Sequence, residues 1–122
     1  MKGLLKGLLF AVVAVLFASC VQEVKMIEWS ANAKEYQAKI GQKFTFEVKG
    51  GGMGGSVWGT DIYTLDSSLA TAAVHAGIIT FDKGGKFTIE IKAGEQNYTG
   101  SERNGVTSQS WGSYAGSYVF VK

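Results

Sequence analysis

The chain has 122 residues, of which 12 are Lys or Arg, 10 are Asp or Glu and one is His, so its formal net charge is +2 at pH 7. A single Cys excludes an intrachain disulfide, and a hydrophobic content of 46% is compatible with one domain whose core is held by packing alone. The near balance of charges argues against nucleic acid as a partner.

The first residues of the chain have the features of a secretory leader. Lys2 and Lys6 precede an unbroken apolar stretch at 8–17. This stretch is shorter than the roughly 20 residues of a membrane-spanning helix. The run Phe17-Ala18-Ser19-Cys20 then resembles the lipobox of bacterial lipoproteins, although leucine is usual where Phe17 stands. In such proteins the cysteine is acylated and becomes the first mature residue. The alternative is an ordinary signal peptide with Cys20 merely near the cleavage site.

The lipobox resemblance divides the chain into three parts. We predict a lipoprotein signal peptide at 1–19, a lipid-anchored tether at 20–25 and a single domain at 26–122. A palmitate-type acyl group on Cys20 implies a membrane anchor and a place in a bacterial cell envelope. The residue after Cys20 is Val21 rather than Asp, which implies the outer membrane if the envelope is Gram-negative.

Beyond the tether, the pattern of apolar residues predicts the α+β class. Strict alternation at Phe44, Phe46 and Val48, and again over 86–91, is typical of half-buried strands. A brief helix is compatible with 30–40, and the glycines of 50–55 predict a flexible break. The predicted strands are 26–29, 43–48, 78–81, 86–91 and 118–121.

A central helix is predicted between Asp66 and Gly77. Asp66 is a favourable N-cap, and glycine commonly terminates a helix. The residues between them include Ala70, Ala72 and Ala73. The helix therefore has almost no side-chain bulk, and its neighbours must pack close to its backbone.

A glycine pattern before this helix is compatible with a dinucleotide site. Gly50, Gly52 and Gly55 match G-x-G-x-x-G. That fingerprint needs a helix directly after the glycines to present its amides to the pyrophosphate. The β-like run Val57-Trp58 follows instead, which favours a hairpin loop and predicts no cofactor.

The single His75 suggests a hydrolytic triad with Asp66 and the neighbouring serines. Asp66 and His75 would lie at opposite ends of one helix, about 13 Å apart at 1.5 Å per residue. A structural role at the helix C-terminus is therefore favoured for His75. One histidine cannot build a zinc site, and Asp61 and Asp66 lack the spacing of a calcium loop. We predict that the chain is not an enzyme and has no metal site.

Several segments together resemble the LCCL domain family. They are 57–77, Gly84-Gly85, Tyr98-Thr99-Gly100-Ser101 and Asn104-Gly105-Val106-Thr107-Ser108. The resemblance implies β-sheets wrapped around one central small-residue helix. It also implies a secreted or surface module without an established catalytic residue, and some members are proposed to bind lipopolysaccharide.

One departure from the LCCL pattern concerns stability. Animal members carry a disulfide cysteine in a Ser-Ser-Ile-Cys segment, where this chain has Ser67-Ser68-Leu69-Ala70. Loss of a native disulfide from a small domain typically costs about 2–5 kcal/mol. Packing must therefore supply the stability that the cross-link supplies in those members.

The stretch 95–118 is the best candidate for a binding surface, because rigid aromatic rings alternate there with small polar residues, as in recognition loops. Such rings can stack on sugars, while Arg and amide groups bond the sugar hydroxyls. The alternative is that Tyr98 and Tyr118 belong to the core and that Asn104-Gly105 is a type I′ hairpin turn. The candidate ligand-binding residues are Trp58, Tyr63, Tyr98, Arg103, Asn104, Trp111 and Tyr114.

These observations predict a lipid-anchored, non-catalytic binding module of a bacterial cell envelope. Its partners would be the membrane, through Cys20, and a glycan, a lipopolysaccharide or an envelope protein. The alternative is a structural or assembly lipoprotein that docks to a larger envelope complex. An exposed apolar patch near Trp29 and Tyr36, without a concave site, would favour that alternative.

Overall fold

The computed structural model describes residues 23–122. The predicted signal peptide at 1–19 and the predicted acylation site at Cys20 lie outside the described residues. In chain order the elements are β1 (Val24–Met26), a 3₁₀ helix (Lys34–Tyr36), β2 (Lys43–Lys49), β3 (Gly59–Thr60), β4 (Ile62–Thr64), α1 (Leu69–His75), β5 (Gly84–Ala93), β6 (Glu102–Arg103), β7 (Val106–Thr107) and β8 (Gly116–Val121).

The strands form a mixed sheet of six strands in the order β1-β2-β5-β8-β4-β3, with β6 and β7 as a separate hairpin. Only the β1–β2 pair is parallel; the other neighbours are antiparallel. A mixed sheet with one short α-helix confirms the predicted α+β class.

The longest strands form where apolar residues alternate. On β5, Phe87, Ile89 and Ile91 are buried, and on β2 the same holds for Phe46 and Val48. Each set points to one face of the pleated sheet, which becomes the core face. The predicted strands at 43–48, 86–91 and 118–121 are confirmed, and β5 and β8 extend beyond the predicted ends.

All seven residues of α1 are buried. On one side of the helix, the Tyr118 hydroxyl on β8 donates to the Ser67 carbonyl at 3.0 Å. On another side, the Leu69 amide donates to the Ala31 carbonyl at 2.9 Å. The small side chains allow this enclosure, as predicted, because bulkier ones would hold the neighbouring backbone away.

The ends of α1 are determined by Ser68 and Gly77. Ser68, not the predicted Asp66, is the N-cap, since its hydroxyl accepts from the Thr71 amide at 3.3 Å. At the other end Gly77 has φ +82°. The Gly77 amide donates to the Val74 carbonyl and the Ile78 amide to the Ala73 carbonyl, both at 2.9 Å. These two bonds form a Schellman motif, which confirms the predicted stop at Gly77.

The predicted elements before β2 shift along the chain. Val24 and Lys25, predicted as tether, lie in β1 and pair with Thr45 and Phe46. The strand predicted at 26–29 ends at Met26, because the backbone turns soon afterwards and the Ala31 amide donates to the Glu28 carbonyl at 3.1 Å. Of the helix predicted within 30–40, only one 3₁₀ turn forms.

The predictions on either side of α1 have different outcomes. Residues 78–81 form no strand, since the Ile78 amide bonds back to the helix and only Thr80 bridges to Gly84. Residues 50–55 contain no helix or strand, in agreement with the predicted break, although some of their glycines lie against other parts of the chain. A Cβ on Gly52 would overlap the Trp29 indole, and one on Gly54 would overlap Thr71.

Candidate functional site

A small cleft opens beside the C-terminal end of β4. It has a volume of about 50 Å³ and is lined by Trp58, Thr64, Asp66 and Trp111. We refer to these four residues, with Tyr114 at their edge, as the tryptophan cleft.

The two indoles of the tryptophan cleft stand on hydrogen-bonded backbone. Next to Trp58, the Gln109 amide donates to the Val57 carbonyl at 2.8 Å. Trp111 exchanges two hydrogen bonds with Tyr98, with N–O distances of 2.8 and 3.0 Å. The rings meet edge to face, with centroids 6.4 Å apart and planes 68° apart. The backbone bonds hold the two residues side by side, and the edge contact brings the indoles together before any ligand arrives.

Trp111 is unusually exposed for so large an aromatic residue. Its relative accessibility is 53%, whereas Trp58 is half-buried. Full burial of an aromatic ring of this size typically removes 150–250 Å² from water. At Trp111 about half of the side-chain surface stays in contact with water, so part of the indole is available to a ligand.

Asp66 supplies the charge of the cleft. It lies between β4 and α1, and its Oδ1 is buried without a hydrogen-bond partner among the described residues. No ion pair in the described part of the chain includes Asp66. Burial raises the pKa of Tyr114, and the negative charge of the nearby Asp66 carboxylate raises it further. The phenol of Tyr114 thus faces Asp66 while Oδ1 stays free.

Three of the seven predicted ligand-binding residues, Trp58, Trp111 and Tyr114, come together in this cleft. Tyr63 and Tyr98 are corrections, because both are buried and their hydroxyls are used internally. The Tyr63 hydroxyl lies 2.9 Å from Nδ1 of His75. The Tyr98 hydroxyl lies 2.6 Å from Oγ of Ser117.

Arg103 and Asn104 are also placed away from the tryptophan cleft. Arg103 Nη1 donates to Asp61 Oδ1 at 2.9 Å in an exposed ion pair, which contributes at most about 1 kcal/mol. Asn104 Nδ2 donates to the His75 carbonyl at 2.9 Å. With φ values of +52° and +78°, Asn104 and Gly105 have the positive φ angles that the predicted type I′ turn between β6 and β7 requires.

The sequence does not single out Asp66 as a cleft residue, because the pattern around it favours Asp66 as the N-cap of α1. A signal was present: Ser68, two residues later, is an equally good cap. When Ser68 caps the helix, the Asp66 carboxylate is left without a local role. It then lies beside Trp58 at the junction of strand and helix.

His75 has a serine nearby but not the geometry of a catalytic base. Its Nε2 lies 3.1 Å from the Ser101 carbonyl oxygen and 3.2 Å from Ser101 Oγ. A carbonyl only accepts, so these contacts assign the proton to Nε2 and let the Tyr63 hydroxyl donate to Nδ1. Nε2 then has no lone pair for the serine proton, and the ring is fully buried.

Residues 23–122 contain neither a cluster of metal ligands nor a membrane-spanning helix. No three His, Cys, Asp or Glu side chains in this range are grouped so as to hold a metal ion. Over the same residues, no helix combines the length and apolar character needed to traverse a bilayer.

Residues 19–118 match the family model of the LCCL domain. Similar proteins include human vitrin, with 39% identity over 66 residues (54% of this chain, 10% of vitrin). Human cysteine-rich secretory protein LCCL domain-containing 2 is 45% identical over 56 residues (46% of this chain, 11% of that protein). Clotting factor C of Tachypleus tridentatus is 30% identical over 105 residues (84% of this chain, 10% of that protein). The chain thus spans about a tenth of the length of these relatives.

Proposed function

The chain belongs to the LCCL domain family, and from this premise we propose that it is a non-catalytic binding module of a bacterial cell envelope that holds a glycan or lipopolysaccharide at the tryptophan cleft. The observation that carries the proposal is the exposed Trp111 indole, fixed by backbone hydrogen bonds beside Trp58. Rigid aromatic surfaces of this kind bind ligands with little loss of side-chain entropy.

The environment of His75 supports binding rather than turnover. A general base must reach the proton that it removes. His75 is enclosed, and Tyr63 and Ser101 occupy both of its ring nitrogens. Ser101 in turn is bonded to Thr60 at 2.6 Å between hydroxyl oxygens. This cluster therefore fastens α1 to the segment before β6.

Acylation of Cys20 is the proposed means of attachment. β1 begins at Val24, so the chain between that strand and Cys20 reaches at most about 14 Å when fully extended. A linker of this length would keep the domain close to the bilayer. The bacterial source follows from the lipobox resemblance. The outer-membrane location follows from Val21 after Cys20 if the envelope is Gram-negative, and both belong to the same proposal.

The test is binding to an array of glycans and lipopolysaccharides with a Cys20→Ser protein, which cannot be acylated at that position. We expect Trp111→Ala to weaken the retained interaction at least tenfold, because it removes the exposed stacking surface. Met53→Ala is the matched control, since Met53 is 87% exposed and lies outside the cleft. Equal retention by Trp111→Ala and the parent protein would contradict the proposal.

A second candidate, docking to a larger envelope complex, is favoured by one observation. An apolar groove of about 480 Å³ lies beside β1, next to Tyr36 and Phe44, and Val24 and Met26 are exposed nearby. Two results together would select this candidate. No member of the array would bind the protein, and an envelope complex would copurify with the parent protein but not with Met26→Lys.

A further inference from the structure

We infer that the tryptophan cleft binds an alkylammonium cation, the positively charged end of an amine or a quaternary ammonium group. The inference rests on the proposed function, because it names the chemical group that the same cleft takes from its glycan or lipopolysaccharide. Three features carry it: the arrangement of the rings, the state of the Asp66 carboxylate and the size of the cleft.

The two indoles form two walls of a corner. Their planes are 68° apart and their centroids are 6.4 Å apart. A cation in such a corner meets the negative face of at least one indole, and Trp is the strongest of the aromatic side chains in cation–π contacts. The phenol ring of Tyr114 lies at the edge of the same corner.

The carboxylate of Asp66 lacks a counter-charge. Its Oδ1 is buried and unbonded within the described residues. None of the ion pairs among the described residues includes Asp66, and no Lys or Arg lines the cleft. A buried acceptor without a partner is unfavourable, and more so when it is charged. Because Asp66 lines the cleft without an ion-pair partner, its negative charge attracts an ammonium group there, whereas a phosphate or carboxylate would be repelled.

The volume restricts the ligand to a head group. About 50 Å³ is several times the roughly 10–15 Å³ of cavity volume that one water molecule needs, but is far below the roughly 300–1,000 Å³ of pockets that enclose a whole small-molecule ligand. The cleft therefore takes the end of a chain or a substituent, and the rest of the ligand lies outside, against the exposed face of Trp111.

The test follows the three indole N–H signals by NMR while Cys20→Ser protein is titrated with choline, with ethanolamine, or with 3,3-dimethylbutan-1-ol, a neutral molecule of the same shape as choline. We expect the signals of Trp58 and Trp111 to shift with the cations, and the neutral alcohol to bind at least tenfold more weakly. Trp29 is an internal reference, because its indole N–H is bonded to the Lys49 carbonyl. The choline and ethanolamine arms distinguish quaternary from primary ammonium sources.

Asp66→Asn is the decisive variant, with Asp82→Asn as its control. The control residue Asp82 lies at the opposite end of β5 from the cleft. Thr64 of the cleft pairs with Ser117, and Ser117 pairs with Lys92 near the C-terminal end of β5, whereas Asp82 comes just before the N-terminal end of that strand. We expect Asp66→Asn to lower the affinity for choline at least tenfold and Asp82→Asn to leave it unchanged. Trp111→Ala should also weaken choline binding. Because Trp111 is exposed, its replacement should leave the domain folded, so the weaker binding would report on the cleft itself.

The outcomes separate the two proposals. Equal binding of choline and its neutral analogue, or unchanged affinity in Asp66→Asn, would overturn the cation site. Glycan retention that neither choline nor ethanolamine competes away would also overturn it, while leaving the proposed function standing. Choline binding with an empty array would sustain the cation site and remove the proposed function.

Discussion

At the scale of single residues, aromatic positions were easier to predict than their orientation. Trp58 and Trp111 line the cleft and Tyr114 lies close to Asp66, whereas Tyr63 and Tyr98, proposed for the same site, are buried. β4 has only three residues, so no alternation shows which side chain faces the core. The free carboxylate of Asp66 depends on which residue caps α1, and a local pattern does not decide this.

The buried phenols predict a loss of stability in alkali. Burial raises the pKa of Tyr118 well above its usual 10.0, and burial is also the main cause of the raised pKa of Tyr63. The unfolded chain therefore releases these protons first, so the stabilisation is fully present below about pH 10 and is lost as the pH rises through the raised values. Each phenol can lower the free energy of unfolding by up to about 1.4 kcal/mol per pH unit in that window.

Urea denaturation at a series of pH values checks this expectation. The midpoint should fall steadily from about pH 9 to pH 11. Tyr118→Phe should reduce that slope, although it also loses the hydrogen bond to Ser67 and begins from a lower stability. A midpoint that does not change over this range in the parent protein would contradict the role assigned to the phenols.

At the scale of elements, length decides what the sequence can predict. β2, β5 and β8 carry enough alternating residues to be recognised, whereas β1, β6 and β7 have three residues or fewer. The short strands exist because partners elsewhere in the chain supply their hydrogen bonds. The strand predicted at 78–81 fails for a related reason, since the Schellman motif uses the Ile78 amide with which that strand would begin.

The C-terminal stop of α1 gives a prediction at this scale. Gly77→Ala should destabilise the domain by about 1–2 kcal/mol, because φ +82° places a side chain in the left-handed region. The added Cβ would also lie 3.2 Å from Asn104 Nδ2. Gly112→Ala is the control, since a Cβ there meets nothing within 4 Å. Thermal unfolding compares the two, and equal melting temperatures would rule out the assigned role of Gly77.

At the scale of the whole molecule, the family resemblance predicted an enclosed small-residue helix, and its seven residues are all buried. The strand order was beyond the sequence, because β5 pairs with β2 and β8, which precede and follow it at long range. Such contacts depend on how the whole chain closes.

This topology predicts a gradient of amide hydrogen exchange. β5 and β8 occupy the middle of the six-stranded sheet and carry the buried Ile89, Ile91 and Tyr118, so their amides should exchange most slowly. β1 lies at an open edge and β6–β7 is a two-stranded hairpin, so their amides should exchange fastest. Exchange followed by mass spectrometry or NMR would sink this expectation if β1 were protected as strongly as β5.

The strand order also separates the proposed lipid anchor from the tryptophan cleft. β1, which begins four residues after the proposed acylation site at Cys20, occupies one margin of the sheet, and β4, beside the tryptophan cleft, lies four strands across. At about 4.8 Å per strand, this amounts to roughly 19 Å. If Cys20 carries lipid, the indoles would therefore stand about that far from the tethered margin, where they would sample molecules other than the headgroups next to the anchor.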